Sequence, residues 1–315
     1  MRILIAGGAG FIGSHLTRRY ARDGHHVIVV DNLVTAPSWN LSLLHRYDTI
    51  EFVKHDICEP LPFDVGPLDA VIDMACPASP VDFEPLSLEI LRVCSAGVGN
   101  LLELARANGC PFLHASTSEC YGDPQVHPQP ESYWGHVNPI GPRSCYDEGK
   151  RFAEALVVNY HRRHGVPTHL ARIFNTYGPD MRLSDGRVMP SFITQALRNE
   201  PVTPYGDGSQ TRSFCYVDDL VEGLVRLLES DYVYPVNLGN PDEVTIRQLA
   251  EEIIDITGST SRIAYRPLPQ DDPKVRRPDI GLARELLNWS PRTDRIEGLK
   301  ATVDYFRQKL DEGHG

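Results

Sequence analysis

From Arg2 to about Phe174, short and nearly continuous apolar runs alternate with longer stretches of helical periodicity. The runs Arg2–Ala6, Val27–Val30, Glu51–Lys54, Ala70–Met74, Pro111–Ser116 and His169–Phe174 read as strands covered on both faces. Between them helices are predicted near Gly13–Asp23, Leu86–Asn108 and Tyr146–His164. This βαβ alternation predicts a Rossmann-type α/β fold, a doubly wound parallel sheet with right-handed crossovers. After Asn175 the pattern loosens. A Gly/Pro/Arg-rich loop (Gly178–Gly186) leads to a helix near Met189–Arg198, then a Gly206-Asp207-Gly208 turn and the short run Ser213–Val217. The helix Asp219–Leu228 and the strand Pro235–Leu238 read as a return to the sheet. From Pro241 onward the helices Ile246–Thr257 and Ile296–Leu310 flank a charged, Pro-rich loop, Pro267–Pro278. Residues 1–176 with about 215–240 are therefore expected to form the larger domain. Residues of about 177–214 with 241–315 are expected to form a second, smaller mixed α/β domain.

Composition narrows the function. The 315 residues are enough for one large or two modest domains, and the formal net charge is −11. An acidic chain argues against a nucleic-acid partner and leaves any anionic ligand to local arginines. No apolar run approaches the ~20 residues of a membrane span. The Gly-rich start lacks the basic region and cleavage site of a signal peptide. Seven cysteines without a C-x-x-C pair read as reduced thiols, so a cytoplasmic protein is expected. Twelve histidines show no metal-ligand spacing, and no metal is expected.

The segment Gly7-Gly8-Ala9-Gly10-Phe11-Ile12-Gly13 follows the first strand and opens the first helix. There Gly7 permits a tight turn, Gly10 lets the backbone approach a pyrophosphate, and Gly13 lets helix pack on strand. A second strand ends in Asp31, 18 residues past Gly13. Its carboxylate can accept from an adenosine ribose and would repel a 2′-phosphate, which favours NAD over NADP. The alternative is a glycine turn with Asp31 as a helix cap. Asp56 and Ile57 could hold the adenine or form an ordinary turn. Asn32 and Ala75, beside the second and fourth strands, complete the expected cofactor set.

Tyr146 and Lys150 are four apart and share one helix face. A tyrosine is a poor base at neutral pH unless a cation stabilises its phenolate, as Lys150 and an oxidised nicotinamide both would. With 13 tyrosines and five lysines, one such pair can arise by chance, and Tyr305 with Lys309 is a second, read as a solvated face. Thr117 sets the first pair apart, because it lies at the end of the fifth strand, where an open α/β sheet binds ligands. This Thr117–Tyr146–Lys150 set resembles the extended, sugar-nucleotide-modifying branch of the short-chain dehydrogenase/reductase superfamily.

Further motifs are more specific. Ala115-Ser116-Thr117-Ser118-Glu119-Cys120-Tyr121-Gly122-Asp123-Pro124, Tyr133–Pro139, Cys145–Arg151, Arg172–Pro179, Tyr205–Arg212 and Gln270-Asp271-Asp272-Pro273 resemble the UDP-glucuronate decarboxylases (UDP-xylose synthases). The resemblance implies NAD-dependent oxidation at sugar carbon 4, loss of carbon dioxide from the resulting β-keto acid, and re-reduction to UDP-xylose. No strong acid is needed to expel a hydroxyl, and resembling 4,6-dehydratases carry an Asp where this chain has Ser118. Ser118 is implied to hydrogen-bond the substrate carboxylate, with Glu119 disfavouring it and managing proton return at carbon 5. Arg276 matches the arginine that grips that carboxylate, a task suited to a guanidinium fork. Arg277 fits equally by composition, and only the motif register favours Arg276. For the UDP part the resemblance implies Asn175, Arg182, Arg187, Tyr205 and Arg212, with Arg92 near the pyrophosphate. It also implies a homodimer built on the Leu86–Asn108 and Tyr146–His164 helices.

The chain departs from the pattern at Ala6 (usually Thr), at Asp73-Met74-Ala75-Cys76 (usually His-Leu-Ala-Ser) and at Cys120 (usually Val). Asp180 replaces an Arg in a loop expected near the nucleotide, which bears on substrate affinity. Rival readings are a nucleotide-sugar 4-epimerase or 4,6-dehydratase, an enzyme that releases the 4-keto pentose, and an NAD-sensing regulatory protein without turnover.

Overall fold

A computed structural model describes residues 1–61, 64–267 and 275–314. In chain order its strands are β1 (Arg2–Ala6), β2 (His26–Asp31), β3 (Ile50–Lys54), β4 (Ala70–Asp73), β5 (Phe112–Thr117) and β6 (Thr168–Ile173). They continue as β7 (Thr176–Tyr177), β8 (Thr211–Ser213), β9 (Cys215–Tyr216), β10 (Pro235–Leu238) and β11 (Glu243–Thr245). The helices are α1 (Phe11–Arg22), α2 (Ser38–Leu44), α3 (Pro80–Phe83), α4 (Ser87–Arg92), α5 (Val98–Asn108) and α6 (Ser144–His164). After these come α7 (Val188–Leu197), α8 (Val217–Leu228), α9 (Ile246–Thr257), α10 (Gly281–Leu287) and α11 (Arg295–Asp311).

Seven strands form one parallel sheet in the order β10-β6-β5-β4-β1-β2-β3. Because side chains alternate across a strand, β1 sends Ile3 and Ile5 into one core with Val27, Val29, Leu16 and Leu224. Leu4 and Ala6 enter the opposite core with Ile28, Val30, Leu102 and Val157. Burial on both faces is why these strands read as continuous apolar runs. The strand order reverses between β1 and β4, and a crevice at such a switch point is where this architecture takes ligands. A third core joins α7, α9 and α11 through Ile193, Leu249, Ile253, Val303 and Phe306.

Several elements differ in detail from expectation. The helix predicted over Leu86–Asn108 is α4, a π-helical turn Val93–Gly97 and α5. The run Ser213–Val217 divides between β8, antiparallel to β11, and β9, parallel to β7. The short helices α2 and α10 carried no sequence signal. The motif Gln270-Asp271-Asp272-Pro273 lies outside the described residues.

Candidate active site

The cofactor cradle follows from glycine geometry. Gly7 adopts φ +72, and a Cβ there would stand 2.6 Å from the Met74 carbonyl carbon. A Cβ at Gly13 would stand 2.1 Å from the Gly7 carbonyl oxygen, so the first turn of α1 presses on the loop. Gly10 caps α1 with no side-chain hydrogen bond, and the first helical turn holds no acidic residue. The helix N-terminus therefore presents free N–H groups and positive potential where Gly10, Phe11, Ile12 and Gly13 line a cleft. Such a terminus, with no side chain capping it, suits the charge of a diphosphate.

Asp31 ends β2 and ties the cradle together, accepting from the N–H groups of Ala9 (3.1 Å) and Leu33 (2.8 Å). Burial pushes its carboxyl up, and these backbone bonds pull it back. Asn32 accepts from Val34 N–H at 3.1 Å, and Asp56 accepts from Cys58 N–H at 2.9 Å. Buried Ile57 packs on Gly97 and its carbonyl accepts from Asn100. Ala75 N–H donates to Asp73. These five residues sit at or just beyond the carboxyl ends of β2, β3 and β4, and do not belong to the cleft lining.

The cleft, about 680 Å³, gathers Thr117, Ser118, Glu119, Tyr146, Lys150 and Arg276. Tyr146 stacks on Phe83 (centroids 5.0 Å apart), and the Thr117 hydroxyl acts on its phenol. Burial pushes its phenol up, while Lys150 and Thr117 pull it down. The Lys150 ammonium donates to the Ala115 carbonyl at 2.7 Å. Burial disfavours its charge, but Cys76, Cys94, Tyr146 and Asp73 hold its pKa above the ordinary lysine value. Thr117 Oγ1 accepts from Glu119 N–H at 3.2 Å and caps a 3-10 turn, Ser118–Tyr121, that follows β5 directly. That turn places Ser118 and Glu119 at the strand's end.

Glu119 accepts from Arg143 Nη2 at 2.6 Å and from Arg276 Nη1. Burial pushes its carboxyl up, yet the two guanidiniums carry it down to about 2. Glu119 is thus an anion: it can repel a carboxylate, but must first be protonated before it can return a proton. Arg276 is 3% exposed, also donates to the Gly122 carbonyl at 3.1 Å, and its buried Nε–H has no protein partner. Its backbone is clamped by Gln129, which accepts from Arg277 N–H (2.8 Å) and donates its own N–H to the Arg277 carbonyl (2.9 Å).

An NAD-type cradle joined to a Thr/Tyr/Lys set agrees with the comparisons. The profile described as the NAD dependent epimerase/dehydratase family matches residues 3–239. The chain belongs to that family. It is 50% identical over its whole length to UDP-glucuronic acid decarboxylase 1 of Arabidopsis thaliana, covering 72% of that protein. It is also 50% identical over 98% of its length to UDP-glucuronic acid decarboxylase 1 of Danio rerio, covering 73% of that protein. Among solved structures it resembles a Thermotoga maritima UDP-glucose 4-epimerase with UDP-glucose (TM-score 0.90, 31% identity, 98% and 100% of the two chains). A Bacillus cereus UDP-glucuronic acid 4-epimerase in complex with UDP-glucuronic acid and NAD is similar as well (TM-score 0.85, 29% identity, 98% and 99%).

Within this epimerase/dehydratase frame, Asn175, Arg182, Arg187, Tyr205 and Arg212 line the same cleft as Arg276. Arg182 pairs with Asp82 at 2.8 Å, Arg187 forks onto Asp185 at 2.5 and 2.9 Å, and Arg212 donates to the Thr211 carbonyl. Arg92 stands apart, exposed on α4 and paired with Glu59. Arg143 lines the cleft although sequence reasoning passed over it; the only signal is its place after Gly141-Pro142, where α6 begins.

Two expectations need correction. Asp180 faces α1, not the cleft: buried at φ +69, it pairs with Arg18 and His15, and Asn40 donates to its carbonyl at 3.2 Å. Tyr305 and Lys309 are no solvated face. With Trp39 and Arg18 they line a separate cavity of about 620 Å³, because α2 places Trp39 over α11, the Lys309 ammonium lying 5.8 Å from its ring. Where the usual pattern has His, Asp73 accepts from or pairs with His114 at 2.7 Å, both fully buried.

Proposed function

We propose that this protein converts UDP-glucuronate to UDP-xylose and carbon dioxide, with NAD retained in the cleft through each cycle. The observation that carries this reading is the buried Arg276 guanidinium, held against Glu119 in the cleft that also holds Thr117 and Tyr146. A 4-epimerase of neutral sugars has no need of a carboxylate grip at that point, whereas a glucuronate 4-epimerase has a carboxylate to hold as well, so the family likeness decides between them. Half identity to UDP-glucuronic acid decarboxylases over the whole chain supports it.

Held at the Gly7–Gly13 cradle, NAD would supply hydride acceptance and return at sugar carbon 4. Tyr146 removes the proton from the carbon 4 hydroxyl, with Thr117 fixing that hydroxyl and Lys150 stabilising the phenolate by its charge. Burial alone leaves Tyr146 a reluctant base, so its activation depends on positive charge gathered in the filled site. Arg276 and Ser118 hold the carboxylate while the anionic Glu119 disfavours it, which promotes its departure as carbon dioxide. Carbon 5 takes one proton from solvent in place of the departed carboxylate, and Tyr146 then returns its own proton to the carbon 4 oxygen. Arg182, Arg187 and Arg212 supply the positive charge for UDP that the acidic chain as a whole lacks.

The protein is further proposed to be a homodimer through α4 and α6, which expose Leu88 (75%), Leu91 (42%) and Phe152 (53%). Light scattering should give twice the 35.2 kDa chain mass, and Leu88→Glu should halve it. Seven free cysteines support a reducing, cytoplasmic location.

The deciding experiment supplies UDP-glucuronate labelled at the carboxyl carbon. Equal yields of labelled carbon dioxide and UDP-xylose are expected. UDP-galacturonate without gas would make the protein an epimerase, and a 4-keto pentose accumulating with NADH would show that re-reduction fails.

A further inference from the structure

We propose that Cys76 is a reversible oxidation site in the cleft, resolved by Cys94, through which a hydroperoxide switches the enzyme off. Cys76 follows β4 and lines the cleft, where reagents that reach the substrate can reach its sulfur. Cys94 lies behind it in the π-helical turn Val93–Gly97, 1% exposed. The two sulfurs are 3.9 Å apart, and a disulfide needs about 2.05 Å, so closure asks for a shift of about 2 Å. A π-turn carries one residue more than an α-turn and is a place where a helix can yield locally. The hydrogen bond the two thiols share pulls that of Cys94 below its ordinary value and, with burial, pushes that of Cys76 well above its own. The shared proton therefore rests on Cys76, and Cys94 is the sulfur suited to attack as a thiolate once Cys76 has been oxidised.

The pair sits where a change matters. A Cβ at Gly149 would come within 3.3 Å of Cys94 Sγ, so Cys94 packs directly on the residue before Lys150. Both thiols also act electrostatically on the Lys150 ammonium. The chemistry balances in two steps. The peroxide O–O bond breaks as Cys76 becomes a sulfenic acid and an alcohol or water leaves. Cys94 sulfur then attacks Cys76 sulfur, the S–S bond forms, and the S–O bond breaks with loss of water. Two thiols lose two electrons and two protons, and the peroxide accepts both. Drawing Cys94 off Gly149 moves the α6 turn that carries Lys150 and Tyr146, and a misplacement of about 1 Å at such a site can cost about 100-fold in rate.

The inhibition readout rests on the decarboxylase reading, while disulfide mapping does not. The holoenzyme, with its NAD content measured, is treated with excess hydrogen peroxide, digested without reduction and mapped by mass. A Cys76–Cys94 peptide lighter by two hydrogens, an activity loss of about tenfold or more, and full recovery with dithiothreitol are expected. In Cys94→Ser the unresolved Cys76 should pass on to sulfinic acid, so the loss becomes irreversible. Absence of the cross-linked peptide overturns the site. A disulfide that leaves activity intact overturns the switch, as does a Cys94→Ser enzyme that dithiothreitol rescues as well as wild type.

Discussion

Arg276→Ala tests the carboxylate grip, and the structure sets the size of the effect. Arg276 already spends one donor on Glu119 and another on the Gly122 carbonyl, which leaves its buried Nε–H without a protein partner. That nitrogen is closed to solvent, so a substrate carboxylate must share or take the Glu119 contact, and the net gain is about one charged hydrogen bond. Such a bond is worth about 1.5–3 kcal/mol, or about 10- to 150-fold in affinity. The truncation frees the Gly122 carbonyl as well as Glu119, while the Gln129–Arg277 clamp keeps the backbone segment in place. Titration calorimetry in a Tyr146→Phe background, where turnover is blocked, compares UDP-glucuronate with UDP. The dissociation constant for UDP-glucuronate should rise by that factor while that for UDP stays unchanged. Arg276→Lys should fall between, since an ammonium keeps the charge and loses the fork. Equal losses for both ligands would show that Arg276 only supports the fold, and no loss for either would remove it from the site.

Tyr146→Phe should retain NAD, measured after denaturation, and lose about 100- to 10,000-fold in kcat; near-wild-type turnover would refute its role as base. Glu119 and Asp147 should bend the stability profile in opposite directions. Glu119 lies near 2 when folded against 4.5 unfolded, so its contribution is complete above about 4.5 and disappears as pH falls toward 2. Asp147 is pushed up to about 7 by burial and by Glu119, so its contribution is present below 3.8 and is lost as pH rises through 7. Thermal melts should show wild type losing stability between about pH 4 and 8, with a flatter course in Asp147→Asn; identical profiles would refute this. Gly13→Ala places a Cβ 2.1 Å from the Gly7 oxygen, so it should lower Tm and abolish NAD retention.

What could be read from the sequence is what is decided locally. Apart from the edge strand β3, the strands of the large sheet are buried on both faces, and β1 and β10 match their predicted bounds while β3 and β4 shift by one residue at one end and β2, β5 and β6 by one residue at both. Tyr146 and Lys150 follow from helical spacing, and Thr117 from its position at the end of β5. By contrast, α2 left no trace because its buried positions include Asn40, whose amide bridges the carbonyls of Ala9 and Asp180. No pattern of apolar residues can announce such a bond.

The same distinction separates the arginines. Arg92 lies inside one predicted helix and Arg143 just before another, and neither position says what the side chain will meet. The difference is made by partners 33 and 24 residues away: Glu59 holds Arg92 in solvent, whereas Glu119 holds Arg143 inside the cleft. A guanidinium's function is set by the carboxylate that the fold delivers to it. Glu119 therefore does more than oppose the substrate: by gathering Arg143 and Arg276 into a buried cluster it pre-positions positive charge that would otherwise sample water, at the cost of competing for it. A Glu119→Gln enzyme separates these effects, because glutamine removes the competing charge and keeps an acceptor for only one of the two guanidiniums, its amide N–H₂ being a donor. It should bind UDP-glucuronate more tightly than wild type yet release carbon dioxide more slowly. Weaker binding would mean that pre-positioning dominates, and unchanged release would mean that Glu119 exerts no pressure on the carboxylate.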